Sequence, residues 1–141
     1  MNYTVNYYIS KGAVKSKLLI SIGFFGIIFR MTYIGNVYPD RYTRIKSEDY
    51  NQICKRLDEY TTKNGRKRRF PDTCPFYVYD NDNLLIYYDD EVSVRSKVRY
   101  AKEHGLAGVS VWDVSQDDMT GICGEGRFPL LQHIINECST P

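Results

Sequence analysis

Apolar positions fall into two kinds of pattern along the chain. From Leu18 to Phe25 they run almost without a break, as in a parallel strand covered on both faces. Gly23 and Gly26 interrupt this run and mark a close backbone approach or a bend. Ala107 to Trp112 is a second short run of the same kind. Elsewhere the spacing is helical. Val5, Tyr8 and Ile9 share a helical face ahead of Lys11-Gly12, a cation and a glycine that end a helix. Tyr50, Ile53, Cys54 and Leu57 stand at i, i+3, i+4 and i+7, and Ser47 is the expected N-cap of a helix over Glu48–Thr61. Another helix is expected over Val92–His104, stopped by Gly105, and a last one from Pro129 to Glu137.

The middle of the chain reads differently. Phe29 to Tyr42 alternates aromatic and polar residues, which predicts short strands and turns, and Lys63 to Arg69 reads as a basic loop. Phe76–Tyr79 and Leu84–Tyr88 flank Asp80-Asn81-Asp82-Asn83, the pattern of a hairpin. The order is strand, small α+β insert, helix, strand, helix. It resembles the end of a βα-repeat protein carrying an insertion.

Composition narrows the class. The chain has 141 residues, 43% hydrophobic and 26% charged, enough for one globular domain with a modest core. A net charge of +2 gives no footprint for nucleic acid. The longest apolar run, Leu18 to Phe29, is too short to span a membrane. Its leader is long and polar and no small-residue cleavage site follows, so no signal peptide is expected in this chain. The 4 cysteines, Cys54, Cys74, Cys123 and Cys138, include no Cys-x-x-Cys pair, which argues against a zinc ribbon or a thioredoxin motif. An even count at wide spacing suits disulfides of a secreted protein, with every pairing open. Buried thiols of an intracellular protein are the plain alternative. The 13 tyrosines suit strands and carbohydrate- or protein-binding surfaces without defining a site.

An ordered set of short stretches then points to a family. It comprises Tyr88-Asp89-Asp90, Ser93 to Lys97, Tyr100-Ala101-Lys102, Gly105 to Asp113, Asp117-Asp118, Gly121-Ile122-Cys123 and Phe128 to Leu131. The set resembles the last βα unit of glycoside hydrolase family 18, the chitinase family. Tyr8, Gly12-Ala13, Lys17 to Leu19 and Phe24 to Gly26 are similar to the family's seventh strand and the helix before it. Tyr50, Ile53-Cys54 and Leu57 resemble the helix of its insertion domain. The resemblance implies an α/β fold, a partial TIM (β/α)8 barrel holding about the last two βα units plus an α+β insertion. Residues 1–28 would hold the end of helix six and strand seven, 29–88 the insertion, and 89–141 helix seven, strand eight and helix eight. A whole barrel takes about 250 residues.

The resemblance also implies chemistry. Family 18 chitinases are retaining glycosidases in which the substrate's N-acetyl group is the nucleophile and a protonated Glu is the general acid. Their Asp-x-x-Asp-x-Asp-x-Glu run occurs nowhere in these 141 residues, so the chain alone is expected to be non-catalytic. Trp112 matches the family's sugar-stacking Trp. Without the resemblance, a single Trp at a strand end would read as core. Phe25 stands where active members often carry Tyr, and Ser110 where several carry Met. Both are further candidates for substrate contact. Ser115 and Met119 depart from the family's Asp and Phe. Cys54 and Cys123 align with a disulfide of animal chitinases, which leaves Cys74 and Cys138 as a possible second pair.

Other charged groups have plainer readings. Asp89, Asp90, Asp117 and Asp118 fit helix N-termini, where carboxylates satisfy free amides. Asp80 to Glu91 has calcium-loop length, but Leu84 and Leu85 occupy positions that need an oxygen ligand and a glycine. Arg66 to Arg69 suits a protease site, a nuclear signal or a polyanion patch, with a solvated loop as the plain alternative. Asn2-Tyr3-Thr4 is a glycosylation sequon. His104 and His133 receive no role. No metal or cofactor is expected. The expected partner is chitin or a chito-oligosaccharide, with neither nucleic acid nor membrane, in a secreted setting. Two other readings stay open: the C-terminal part of an active retaining chitinase, which cleaves β-1,4-N-acetylglucosamine polymers with substrate assistance, and a structural or interaction protein made from a decayed barrel.

Overall fold

A computed structural model describes residues 1–31, 42–62, 66–69, 75–79 and 84–140, with side-chain surroundings for 1–30, 43–57 and 84–140. Helix α1 (Asn2–Ser10) ends at Lys11, and Gly12 leaves it at φ +94°. A short 3-10 turn leads into strand β1 (Leu19–Gly23). Strands β2 (Phe25–Met31) and β3 (Tyr42–Asp49) follow, then helix α2 (Tyr50–Thr62). Next come β4 (Arg66–Arg69), β5 (Pro75–Tyr79), β6 (Leu84–Tyr87), helix α3 (Glu91–Glu103), strand β7 (Gly108–Trp112) and helix α4 (Pro129–Ser139).

These strands form two sheets. β1 and β7 pair in parallel, from Leu19 opposite Gly108 to Gly23 opposite Trp112. The other five lie in an antiparallel sheet, in the order β3-β2-β6-β5-β4. One core serves both sheets: Ile22, Phe24, Ile28, Tyr50, Ile53, Ile86, Tyr88, Val94, Val98, Leu130 and Ile134. Phe24 is the joint. Its N–H donates to Trp112 O at 2.9 Å, its carbonyl accepts from Tyr50 N at 2.9 Å, and its ring is fully buried. Gly26 is required where the sheet meets α2, because a Cβ there would run into the Ile53 side chain and stand 2.8 Å from Tyr87 O.

Several expectations hold and several change. The face of Tyr50, Ile53, Cys54 and Leu57 packs on the core as expected. The helix begins two residues late, however, because Ser47 is taken into the β3 ladder opposite Ile27. Asp49 precedes the helix instead, its N–H donating to Gln52 Oε1 at 3.3 Å. The basic stretch Arg66–Arg69 is a strand and not a loop, paired with β5 from Arg66 opposite Val78 to Arg69 opposite Pro75. It lies last in the sheet order, where cations discourage edge-to-edge pairing. The hairpin strands are present, with Tyr79 opposite Leu84, while the four turn residues lie outside the described residues.

Neither parallel strand is covered on both faces. Ile20 and Ile22 are buried while Leu19 and Ser21 are exposed, and β7 is only half-buried. Side chains alternate along a strand, so one face carries Ile20, Ile22, Val109 and Val111 into the core that α3 and α4 cover. The opposite face carries Leu19, Ser21, Ser110 and Trp112.

Candidate functional site

The open face of the parallel pair ends at Trp112, 69% exposed although it is the only tryptophan in the chain. It occupies the C-terminal end of β7, opposite Gly23 at the corresponding end of β1. The Trp112–Asp113 peptide is cis. The Phe25 ring lies against Gly23, so close that a Cβ there would stand 2.7 Å from Phe25 Cε1. Phe25, Ile27, Tyr87, Tyr88 and Asp89 line a cleft of about 190 Å³ reaching Gly23. Ser110 faces Ser21 in register, one strand repeat below Trp112. Trp112 and Phe25 therefore stand at the C-terminal end of the parallel pair, and Ser110 lies at its middle on the face that carries Trp112.

The segment after Trp112 is built on carboxylates. Asp113 Oδ1 accepts from Ser115 N at 2.8 Å and from the Ser115 hydroxyl, while Gln116 Oε1 accepts from Asp113 N at 3.1 Å. Ser115 and Met119, the two departures, are both exposed. Asp117 and Asp118 are fully buried. Asp117 accepts from the N–H of Asp118, Leu130 and Leu131 at 2.8, 3.4 and 3.0 Å, so it caps α4 from a distant loop. Burial still raises its pKa. Asp118 accepts from the N–H of Gly121 and Cys123 at 2.9 and 2.7 Å and from both donors of Thr120 at 3.2 Å. Burial pushes Asp118 up too, but its backbone hydrogen bonds outweigh that and hold it below the ordinary value. Burial, and behind it Glu125, Asp117, Asp90 and Asp118, raises the Tyr50 hydroxyl.

Asp90 caps α3 by accepting from Ser93 N at 3.1 Å, and Asp89 binds the Lys97 ammonium at 2.6 Å. Asp90 takes the capping role expected of it, whereas Asp89 differs, holding the Lys97 ammonium and the Ser93 hydroxyl with its side chain. The Cys54–Cys123 disulfide is formed, with Cα atoms 5.7 Å apart, and ties α2 to the loop that Asp118 organises. The possible second pair is not formed: Cys138 is a free, exposed thiol, and Cys74 lies outside the described residues.

Two arrangements were not visible in the sequence. Gln116 Nε2 donates to Asp49 Oδ1 at 2.9 Å across a separation of 67 residues. The Asp113-x-x-Gln116 spacing is that of a capping box and was the available signal. Glu91, Glu125 and His133 also converge, with ligand atoms within 4.8 Å of one another. That group already holds a cation, because Arg95 lies 3.2 Å from both Glu91 Oε1 and His133 Nδ1. A guanidinium only donates, so Nδ1 is the acceptor and Nε2–H faces Glu125 at 3.3 Å. Among the described residues no helix is long and apolar enough to cross a membrane.

The family model for glycosyl hydrolases family 18 matches residues 1–117. The chain belongs to this family. An endochitinase of Brugia malayi is 29% identical over 96% of this chain and 28% of its own length. A probable chitinase 10 of Drosophila melanogaster is 27% identical over 94% of the chain and 6% of its own length. Among solved structures, catalytic domain 2 of the Ostrinia furnacalis Group II chitinase superposes with a TM-score of 0.77 at 31% identity, over 97% of this chain and 38% of that one. Human YKL-39, a pseudo-chitinase with retained chitooligosaccharide binding properties, superposes at 0.85 with 25% identity, over 99% and 40%. This family 18 chain thus spans well under half the length of those relatives. Its fold is the matching part of a TIM barrel, with β1 and β7 as parallel barrel strands and the antiparallel sheet with α2 as the α+β unit between them.

Proposed function

We propose that this family 18 segment binds chitin or chito-oligosaccharide at the open end of its parallel strands and does not hydrolyse it alone. The observation that carries this reading is the exposure of Trp112 at the C-terminal end of β7. An exposed aromatic ring gains by being covered, since burial removes its apolar surface from water. Its flat face suits the axial C–H face of a pyranose through dispersion and C–H/π contact. Phe25 adds an apolar wall beside Gly23, and Ser110 a hydroxyl on the same face. Parallel barrels place their sites at this end of the strands. In this reading residues 1–28 and 89–141 are the barrel part and 29–88 the insertion. The Cys54–Cys123 bond favours an oxidising, extracellular setting.

The prediction of no hydrolysis rests on chemistry. Asp117 and Asp118 accept from backbone amides and Asp89 holds the Lys97 ammonium, and no Asp-x-x-Asp-x-Asp-x-Glu run is present in the sequence. Incubating the chain with chitohexaose and with insoluble chitin tests both halves. Retention on chitin with intact chitohexaose is expected; shorter oligomers would refute the non-catalytic half, and no retention the binding half. A second reading, the C-terminal part of an active retaining chitinase, is favoured by 31% identity to a chitinase catalytic domain over nearly the whole chain.

A further inference from the structure

The peptide that follows Trp112 is held at both of its polar atoms. Its carbonyl accepts from Phe24 N at 2.9 Å. Its N–H, that of Asp113, donates to Gln116 Oε1 at 3.1 Å. The other end of the same amide, Nε2, donates to Asp49 Oδ1 at 2.9 Å. Asp49 ends β3, pairs with Phe25 in the ladder, and stands immediately before α2. The result is a closed circuit: Trp112 to Gln116, Gln116 to Asp49, Asp49 to Phe25, and Phe24 back to Trp112.

We propose that Gln116 is a positioning residue that fixes the Trp112 ring by clamping the peptide after it to the start of α2. The proposal rests on the reading of Trp112 as the sugar platform. The ring stands largely in solvent. Its backbone sets the direction in which the side chain leaves the strand and so which rotamers it can reach, and two hydrogen bonds to one peptide leave that backbone little freedom. Only a side chain that both accepts and donates closes the circuit. The Asp113 N–H requires an acceptor and the Asp49 carboxylate a donor, so the amide has one orientation. Leucine supplies neither function. Glutamate accepts from Asp113 but turns a second carboxylate toward Asp49. The α+β unit therefore sets the direction of a side chain on the barrel strand through the backbone.

The chemistry supplies its own rescue. Pairing Gln116→Glu with Asp49→Asn reverses the second hydrogen bond: the asparagine amide donates and the glutamate accepts from both sides. Ring order is read by time-resolved fluorescence anisotropy, which reports Trp112 alone because the chain has 1 Trp. In the absence of sugar, Gln116→Leu is expected to add a fast local decay that wild type lacks. Affinity for chitohexaose falls about tenfold, as expected for losing one or two net hydrogen bonds. Gln116→Glu gives an intermediate loss, and Gln116→Glu with Asp49→Asn recovers wild-type ring order and affinity. A role confined to folding would lower the melting temperature without this pattern of loss and rescue. Unchanged anisotropy in Gln116→Leu, or a swap that restores nothing, overturns the proposal. The sugar-free measurement decides the clamp even where wild type binds no chitohexaose, a result that would sink only the sugar reading.

Discussion

Strands β6 and β1 are both apolar and both contribute to one core, yet they end in opposite circumstances. In β6 the adjacent residues Leu85 and Ile86 are both buried, so both faces of the strand are covered. In β1 burial alternates: Ile20 and Ile22 are covered while Leu19 is 55% exposed. On the antiparallel sheet α2 packs against β2 and β3. The parallel pair is closed on the helix side and open on the other, and the open side ends at Trp112. The covered region supplies stability, whereas the open face contributes little to it and carries Leu19, Ser21, Ser110 and Trp112.

Phe24 joins the two regions, so its truncation gives the largest expected effect. Phe24→Ala should cost about 3–5 kcal/mol, with the loss of both sheets in one thermal transition. Two separate transitions by circular dichroism would mean that the regions are independent. Next in size is the Cys54–Cys123 bond. Replacing both cysteines by serine should cost about 2–4 kcal/mol in denaturant unfolding. An unchanged midpoint would show that the loop around Asp118 holds α2 without the bond.

Asp118 gives a smaller effect with a defined sign. Its folded pKa lies below the ordinary 3.8, so its stabilisation is present above 3.8 and is lost as pH falls from there through the folded value. Asp117 is shifted upward, so its stabilising share is complete below 3.8 and is lost as pH rises through its folded value. Asp118→Asn should therefore cost about 1–2 kcal/mol near neutrality, with the gap to wild type closing in acid. A gap that is constant with pH would contradict the assignment. The smallest effect belongs to the open face: Leu19→Ser should change stability by no more than about 0.5 kcal/mol. A cost like that of a buried leucine would mean that the face is covered after all.

What the sequence disclosed follows how local each signal is. Helix α3 was legible nearly to the residue because both its signals are local. The Asp90–Ser93 box starts it, and Gly105, at φ +65°, stops it. Strand β3 was missed because Tyr42–Asp49 is largely polar, and it becomes a strand only by pairing with β2. Arg66–Arg69 has the composition of a loop for the same reason: its strand character comes from β5 and not from its own residues. The run at Leu18–Phe25 suggested two covered faces, since an apolar residue looks the same in a sequence whether or not anything covers it.

The site divided along the same line. Trp112, Phe25 and Ser110 are legible only through the resemblance; Trp112 and Phe25 stand at the C-terminal end of the parallel pair and Ser110 at its middle. The Cys54–Cys123 pairing was reached the same way and is formed, whereas the second possible pair is not. The Gln116–Asp49 link joins residues whose proximity only the fold creates.

The most direct test of the account is a fluorescence titration of the full chain with chitohexaose, in wild type and in Trp112→Ala followed by calorimetry. The account predicts a saturable change in Trp112 emission in wild type. It also predicts that affinity falls at least about thirtyfold, close to 2 kcal/mol, when the ring is removed from an otherwise folded protein. Equal affinity in Trp112→Ala, or no saturable signal in wild type, would contradict it.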